Sequence, residues 1–225
     1  MTPSRELRLT VSDDAGEVSA VLVRPEDAHC LYVYAHGAGA GMRHRFMEAS
    51  ADRLAERGVA TLRYNFPYME RGRRAPDRPP RLIETVRAAV AEAVRLEPGL
   101  PIFAGGRSMG GRMTSTAASQ EPLPGVRGLA FVGFPLHAPG RDSATRGAHL
   151  ADVGLPMLFL QGTRDKLANL DLLRPLLDTV EPPPRLHVVD GADHGFHVLK
   201  RSGRTDEEVL DELADTIAEW AGGHS

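Results

Sequence analysis

The sequence predicts an α/β chain built on a mostly parallel central sheet with helices on both faces. Three observations predict it. Cys30 to Ala35 is a continuous apolar run, the pattern of a strand buried on both sides. Arg81 to Leu96 carries Leu82, Val86, Ala89, Val90, Ala93 and Val94 at helical spacing. After an initial hairpin, strand-like and helix-like segments alternate along the whole chain, which implies parallel strands joined by helical crossovers.

Taken in order, Glu6 to Val11 and Glu17 to Arg24 read as two strands around the turn-rich Ser12–Gly16 stretch, an antiparallel edge hairpin. Cys30 to Ala35 follows, then the small-residue loop His36-Gly-Ala-Gly-Ala-Gly41. A helix is expected from about Phe46 to Arg57, with Gly58 as its stop. Val59 to Tyr64 is the next strand, and Asn65 to Pro80 a loop rich in proline and arginine. After the Arg81–Leu96 helix come a short strand (Ile102, Phe103, Ala104), a glycine-flanked serine and a small-residue helix. Val126 to Gly133, Leu155 to Gly162 and Arg185 to Val189 are the remaining strands. Leu167 to Val180 is expected to be helical, with its start obscured by Pro175, because proline is tolerated only in a first turn. The last helix begins at Thr205, where Thr205 and Glu208 make a capping box.

The chain has 225 residues, 42% of them hydrophobic and 25% charged, which suits a single domain spanning 1–225 with a full core. A formal charge of −3 argues against general nucleic-acid binding. Cys30 is the one cysteine, so no internal disulfide framework exists and a reducing compartment is expected. The N-terminal residues lack the apolar region of a signal peptide, and no apolar run approaches the ~20 residues of a membrane span. A cytoplasmic location and no membrane partner are therefore expected. No feature of the sequence specifies an oligomeric state.

Gly106-Arg-Ser-Met-Gly110 fits G-x-S-x-G, a nucleophile elbow that exposes a serine hydroxyl on a sharp strand-to-helix turn. A hydroxyl is a weak nucleophile and needs a base, most often histidine, and a group that orients the base. Beyond Ser108, Asp165 is the first carboxylate at a strand end, in Leu158-Phe-Leu-Gln-Gly-Thr-Arg-Asp165. His194 and His197 follow the last strand and compete for the base, with His194 favoured by the tight turn at Gly195. Asp190 and Asp193 share that loop and read as turn-forming carboxylates. An oxyanion hole needs two backbone N–H groups. Met109, directly after the serine, and Ala38, in the loop after the Cys30–Ala35 strand, are the expected donors.

His36-Gly-Ala-Gly39, Gly106-Arg-Ser-Met-Gly110, Gly162-Thr-Arg-Asp165 and Asp193-His-Gly-Phe196 together resemble the α/β-hydrolase superfamily, in particular its small dienelactone-hydrolase-like members. The resemblance covers nearly the whole chain. It implies an α/β-hydrolase fold with Ser108 as nucleophile, Asp165 as orienting acid and His194 as base. True dienelactone hydrolases use a cysteine nucleophile. The serine here points to acyl hydrolysis of a small ester, thioester or lactone, with ester hydrolysis the leading expectation. A catalytically silent scaffold or binding module on the same fold is the alternative.

The segment from Phe134 to Gly154 is too short and too rich in Gly, Pro and Ala for a multi-helix lid, so a site without a cap domain is expected. His36, Gly37, Phe66, Tyr68, Arg107, Phe134, Leu136 and His137 are candidate pocket residues, with Met69 beside them. Arg71, Arg73, Arg74, Arg78 and Arg81 offer either a binding site for a substrate carboxylate or phosphate, or a solvated loop. The glycine loop after His36 has G-x-G-x-G spacing, not the dinucleotide G-x-G-x-x-G. No Gly-Lys-Ser/Thr sequence or zinc-ligand spacing is present. No cofactor and no metal are expected.

Overall fold

In the computed structural model the described residues are 2–224. Met1 and Ser225, the two ends of the expected domain span, lie outside them. The strands are β1 (Ser4–Ser12), β2 (Gly16–Val23), β3 (Cys30–Ala35), β4 (Val59–Tyr64), β5 (Ile102–Arg107), β6 (Val126–Val132), β7 (Met157–Gly162) and β8 (Arg185–Val189). They form one 8-stranded sheet in the order β1-β2-β4-β3-β5-β6-β7-β8. β1 and β2 make the expected edge hairpin, β2 runs antiparallel to β4, and every pairing from β4 to β8 is parallel. The strand that leads into the serine therefore lies inside the sheet, while β8 lies at its rim.

The two faces of the sheet follow from strand periodicity. Leu31, Val33 and Ala35 of β3 join one core with Ala104, Phe131 and Phe159. Helices α3 (Pro79–Leu96), α4 (Met109–Gln120) and α5 (Leu170–Leu177) cover that face through residues such as Val86, Met113 and Leu173. Cys30, Tyr32 and Tyr34 join the opposite core, covered by α1 (Arg45–Ala55) and α6 (Asp206–Gly222). There Trp220 packs on Phe103 with ring centroids 5.3 Å apart. Tyr32 is fully buried and donates its hydroxyl hydrogen to the Ala130 carbonyl at 2.8 Å. The phenol thus crosses the core without an unmet donor.

Helix ends follow local chemistry. The capping box at Thr205 is present: Glu208 N–H donates to Thr205 Oγ1 at 3.2 Å, and Thr205 N–H donates to Glu208 Oε2 at 2.7 Å. α3 starts two residues before the expected Arg81, because Pro79 and Pro80 occupy a first turn that needs no N–H donors. α5 is shorter than expected and keeps Pro175 inside it, with only Leu176 and Leu177 beyond the ring. Its start is fixed by Asn169, whose Oδ1 accepts from Asp171 N–H at 2.9 Å. The loop after β4 contains an unexpected one-turn helix, α2 (Pro67–Glu70). Between β6 and β7 lies a 3₁₀ segment, Thr145–Asp152, and among the described residues there is no cap domain. Among the described residues no helix is long and apolar enough to cross a membrane.

Candidate active site

The elbow is built by close packing. Ser108 sits between β5 and α4 with φ 52° and ψ −118°, a strained conformation for a residue with a side chain. A Cβ on Gly106 would lie 2.5 Å from the Ala35 carbonyl oxygen, and one on Gly110 would lie 2.6 Å from the same atom. The glycines on either side of the serine therefore let β5 and α4 close on the end of β3. Ser108 N–H donates to the Val132 carbonyl at 3.0 Å, which ties the turn to β6.

The structure brings Ser108, His194 and Asp165 together. Ser108 Oγ is 2.8 Å from His194 Nε2, and His194 Nδ1 is 2.7 Å from Asp165 Oδ2. A carboxylate only accepts, so Nδ1 carries the proton and Nε2 is left to accept from the serine hydroxyl. The Asp165 side chain is fully buried, and its other oxygen accepts from Leu167 N–H at 2.7 Å.

His197 does not reach the serine: it is exposed and paired with Asp206, Nδ1 to Oδ2 at 2.8 Å. Asp193 shapes the loop, its Oδ1 accepting from Gly195 N–H at 2.8 Å and His197 N–H at 3.0 Å. Asp190 accepts from the Thr163 hydroxyl at 3.2 Å.

The Ala38 and Met109 amides donate to no acceptor among the described residues. Ala38 is exposed, on a loop that packs against the elbow at Gly37, where a Cβ would meet Ser108 Cβ at 3.6 Å. Met109 directly follows the serine, and the loop carrying Ala38 packs on the elbow, so both unpaired N–H groups belong to segments next to Ser108.

The expected pocket residues are placed differently. Phe66, Tyr68, Phe134 and Leu136 are fully buried and belong to the core on the α3–α4 side. Their apolar surface packs inward, as where Phe134 meets Phe131 at 5.5 Å between ring centroids. They support the loops from beneath and offer no surface to a ligand. His137 is buried as well, accepting from Asn169 N–H at 2.9 Å through Nε2 and donating from Nδ1 to the Ala138 carbonyl at 3.0 Å.

Arg107 shares the parity of Phe103 on β5, so it points to the α1 side. There its guanidinium lies 4.4 Å from the Phe46 ring centroid, in a cavity of about 520 Å³ shared with Phe196 and Leu210. His36 is fully buried beneath its loop. Burial pushes its pKa down to about 4, against a smaller upward pull from its hydrogen bond to Gly37.

The arginine-rich loop is exposed. Arg73 pairs with Asp77, Arg71 reaches the Ala15 carbonyl at 3.4 Å, and Arg81 reaches the Asp14 carbonyl at 3.5 Å. Those three bind within the fold. Cys30 is fully buried, with its thiol pushed up to about 12 by desolvation.

Gln161 is a site residue that the sequence reading overlooked. It is fully buried at the end of β7, where its amide nitrogen donates to Asp165 Oδ2 and its Oε1 accepts from Phe134 N–H at 3.0 Å. The signal was one polar side chain at the end of the apolar run Met157-Leu-Phe-Leu160. Among the described residues no group of three or more His, Cys, Asp or Glu side chains is arranged to hold a metal.

The same fold recurs in solved structures. A dienelactone hydrolase from Anabaena variabilis shares 19% identity over 99% of this chain and 98% of its own, with a TM-score of 0.77. An α/β serine hydrolase without a lid from Xanthomonas campestris shares 21% identity over 98% of this chain and 96% of its own, with a TM-score of 0.74. Est1E from Butyrivibrio proteoclasticus, in a structure with ferulic acid bound, shares 17% identity over 95% of this chain and 98% of its own, with a TM-score of 0.72. At these identities the likeness is one of fold. The family model of an alpha/beta hydrolase domain matches residues 28–222, and with that match the chain belongs to the α/β-hydrolase family.

Proposed function

We propose that the chain is a serine esterase that hydrolyses a small ester, thioester or lactone through an acyl-enzyme. The observation that carries this reading is the unbroken hydrogen-bonded line from Ser108 Oγ through His194 to Asp165, at 2.8 Å and 2.7 Å. His194 Nε2 takes the hydroxyl proton as Ser108 Oγ forms a bond to the acyl carbon. The charge that develops on the carbonyl oxygen is met by the Ala38 and Met109 N–H groups. The tetrahedral intermediate collapses, the bond to the leaving alcohol or thiol breaks, and the imidazolium returns the proton to that group. Water then attacks the acyl-serine with His194 again as base, which releases the acid and restores the hydroxyl. Asp165 keeps the proton on Nδ1 throughout and stabilises the imidazolium. The chain acts in this reading as one catalytic unit, and its uncapped site suits a small substrate.

A fluorophosphonate probe tests the reading, because it reacts only with an activated serine. The wild-type protein should label and the Ser108→Ala variant should not. A panel of p-nitrophenyl esters of graded chain length then defines the acyl group accepted. Failure of the wild type to label, with no ester in the panel turned over, would leave the silent scaffold as the better account.

A further inference from the structure

The loop that carries Ala38 is held by a histidine whose hydrogen-bonding roles are fixed by its partners. His36 Nδ1 lies 2.7 Å from the Gly37 carbonyl oxygen, which can only accept, so Nδ1 carries the proton. Phe66 N–H donates to His36 Nε2 at 3.2 Å, so Nε2 carries none. The ring is therefore neutral, in one tautomer, and clamped between two backbones.

The Gly37 carbonyl and the Ala38 N–H belong to the same trans peptide, so they point in opposite directions. Whatever fixes the carbonyl also aims the N–H. Ala40 N–H donates to the same carbonyl at 3.2 Å. Gly39 N–H is taken by the Tyr68 hydroxyl at 2.9 Å. With Gly39 and Ala40 engaged, Ala38 is left with an unpaired donor.

We propose that His36 is a positioning residue: by donating from Nδ1 to the Gly37 carbonyl it sets the plane of the Gly37–Ala38 peptide and aims the Ala38 N–H at the substrate oxyanion. The bond also polarises the peptide, which strengthens the N–H as a donor. Tyr68 and the Phe66 amide are the struts that hold this arrangement from the loop after β4. The inference rests on the reading of Ala38 as an oxyanion donor.

Two half-substitutions separate positioning from packing. In His36→Asn the side-chain amide reaches the place of Nδ1 and can still donate to Gly37. In His36→Gln it reaches the place of Nε2, and the donor to Gly37 is lost. His36→Gln should lower kcat by roughly 10- to 100-fold with KM within about twofold, short of the 10²–10³ that loss of a whole oxyanion donor costs. His36→Asn should recover most of that loss. The Ala38 amide resonance should move in His36→Gln and stay near its wild-type position in His36→Asn.

Equal kcat losses in the two variants, or wild-type turnover in His36→Gln, overturn the proposal. So does an Ala38 amide that His36→Gln leaves unmoved. If the wild type labels with no fluorophosphonate, the esterase reading fails by itself, and the Ala38 resonance still decides whether His36 sets this peptide.

Discussion

Ser108 holds φ 52° and ψ −118°, a region where a side chain costs on the order of 1–3 kcal/mol. Glycine normally destabilises a structured position relative to alanine. At this position the order should invert. Chemical denaturation of two inactive variants should find Ser108→Gly more stable than Ser108→Ala by about 1 kcal/mol. The same ranking as at ordinary positions would show that the elbow stores no strain.

Ser108→Ala and His194→Ala should each lower kcat by roughly 10³-fold or more, and the double variant should lose little beyond either one. Additive losses in steady-state kinetics would mean that the two side chains do not act as a unit.

Gln161 contributes a donor to the buried carboxylate and an acceptor to Phe134 N–H. Gln161→Leu should lower stability by about 1–3 kcal/mol and lower kcat while KM stays nearly constant, because the carboxylate loses one of its two anchors. Unchanged kcat would assign Gln161 to packing alone.

His36 also sets a dependence of stability on pH. Its pKa falls from 6.5 to about 4 on folding, so the unfolded chain binds its proton first as the pH drops. The contribution is whole above pH 6.5, erodes down to about pH 4 and amounts to about 3 kcal/mol. Unfolding free energies of wild type and His36→Asn, compared across that range, should converge as the pH falls. Parallel curves would contradict the burial of a neutral ring.

At the scale of elements, the meeting of β3, β5 and α4 carries the site. Gly106 and Gly110 would both place a Cβ within 2.6 Å of the Ala35 carbonyl oxygen. Gly110→Ala must therefore push α4 off β3, and it should lose activity and at least about 1–3 kcal/mol of stability together. Thermal unfolding with an ester assay reads both.

Much of this scale was legible in the sequence. The residue types of a serine mechanism are fixed by chemistry and their chain order by the fold the sequence resembles, so Ser108, Asp165 and His194 could be picked before their distances were known. The loops were less legible. Phe66, Tyr68, Phe134 and Leu136 looked available to a substrate, because an apolar side chain in a loop gives no sign of which way it packs. Tertiary burial took them into the core. Arg107 could have been placed, since it is an even number of residues from Phe103 along one strand. Gln161 could have been noticed, as a polar residue closing an apolar run. The start of α5 could have been read from Asn169, a residue type that caps helices, but Pro175 obscured it.

For the whole molecule, the two faces of the sheet separate their duties. The α3–α4 side holds Phe66 and Tyr68 near the loop after β3, and the α1–α6 side holds Arg107 and Phe46 against Phe196 of the histidine loop. The single cysteine lies on the second side, sealed in β3. Cys30 should resist a thiol reagent in the native state and react only on unfolding, at the rate that global opening allows. Prompt labelling of the native protein would show that this core opens more readily than its packing implies.

The order of strands has a further outcome for how the protein fails. Ser108 hangs from β5, which is laced to a neighbour along both margins, whereas His194 follows β8, which among the described residues has a neighbour along one margin only. Under gentle denaturant β8 should fray before β5, so that the imidazole drifts off while the hydroxyl stays where it was. Turnover should fade at a lower concentration of urea than the circular dichroism signal, so the protein forfeits its chemistry before it forfeits its shape.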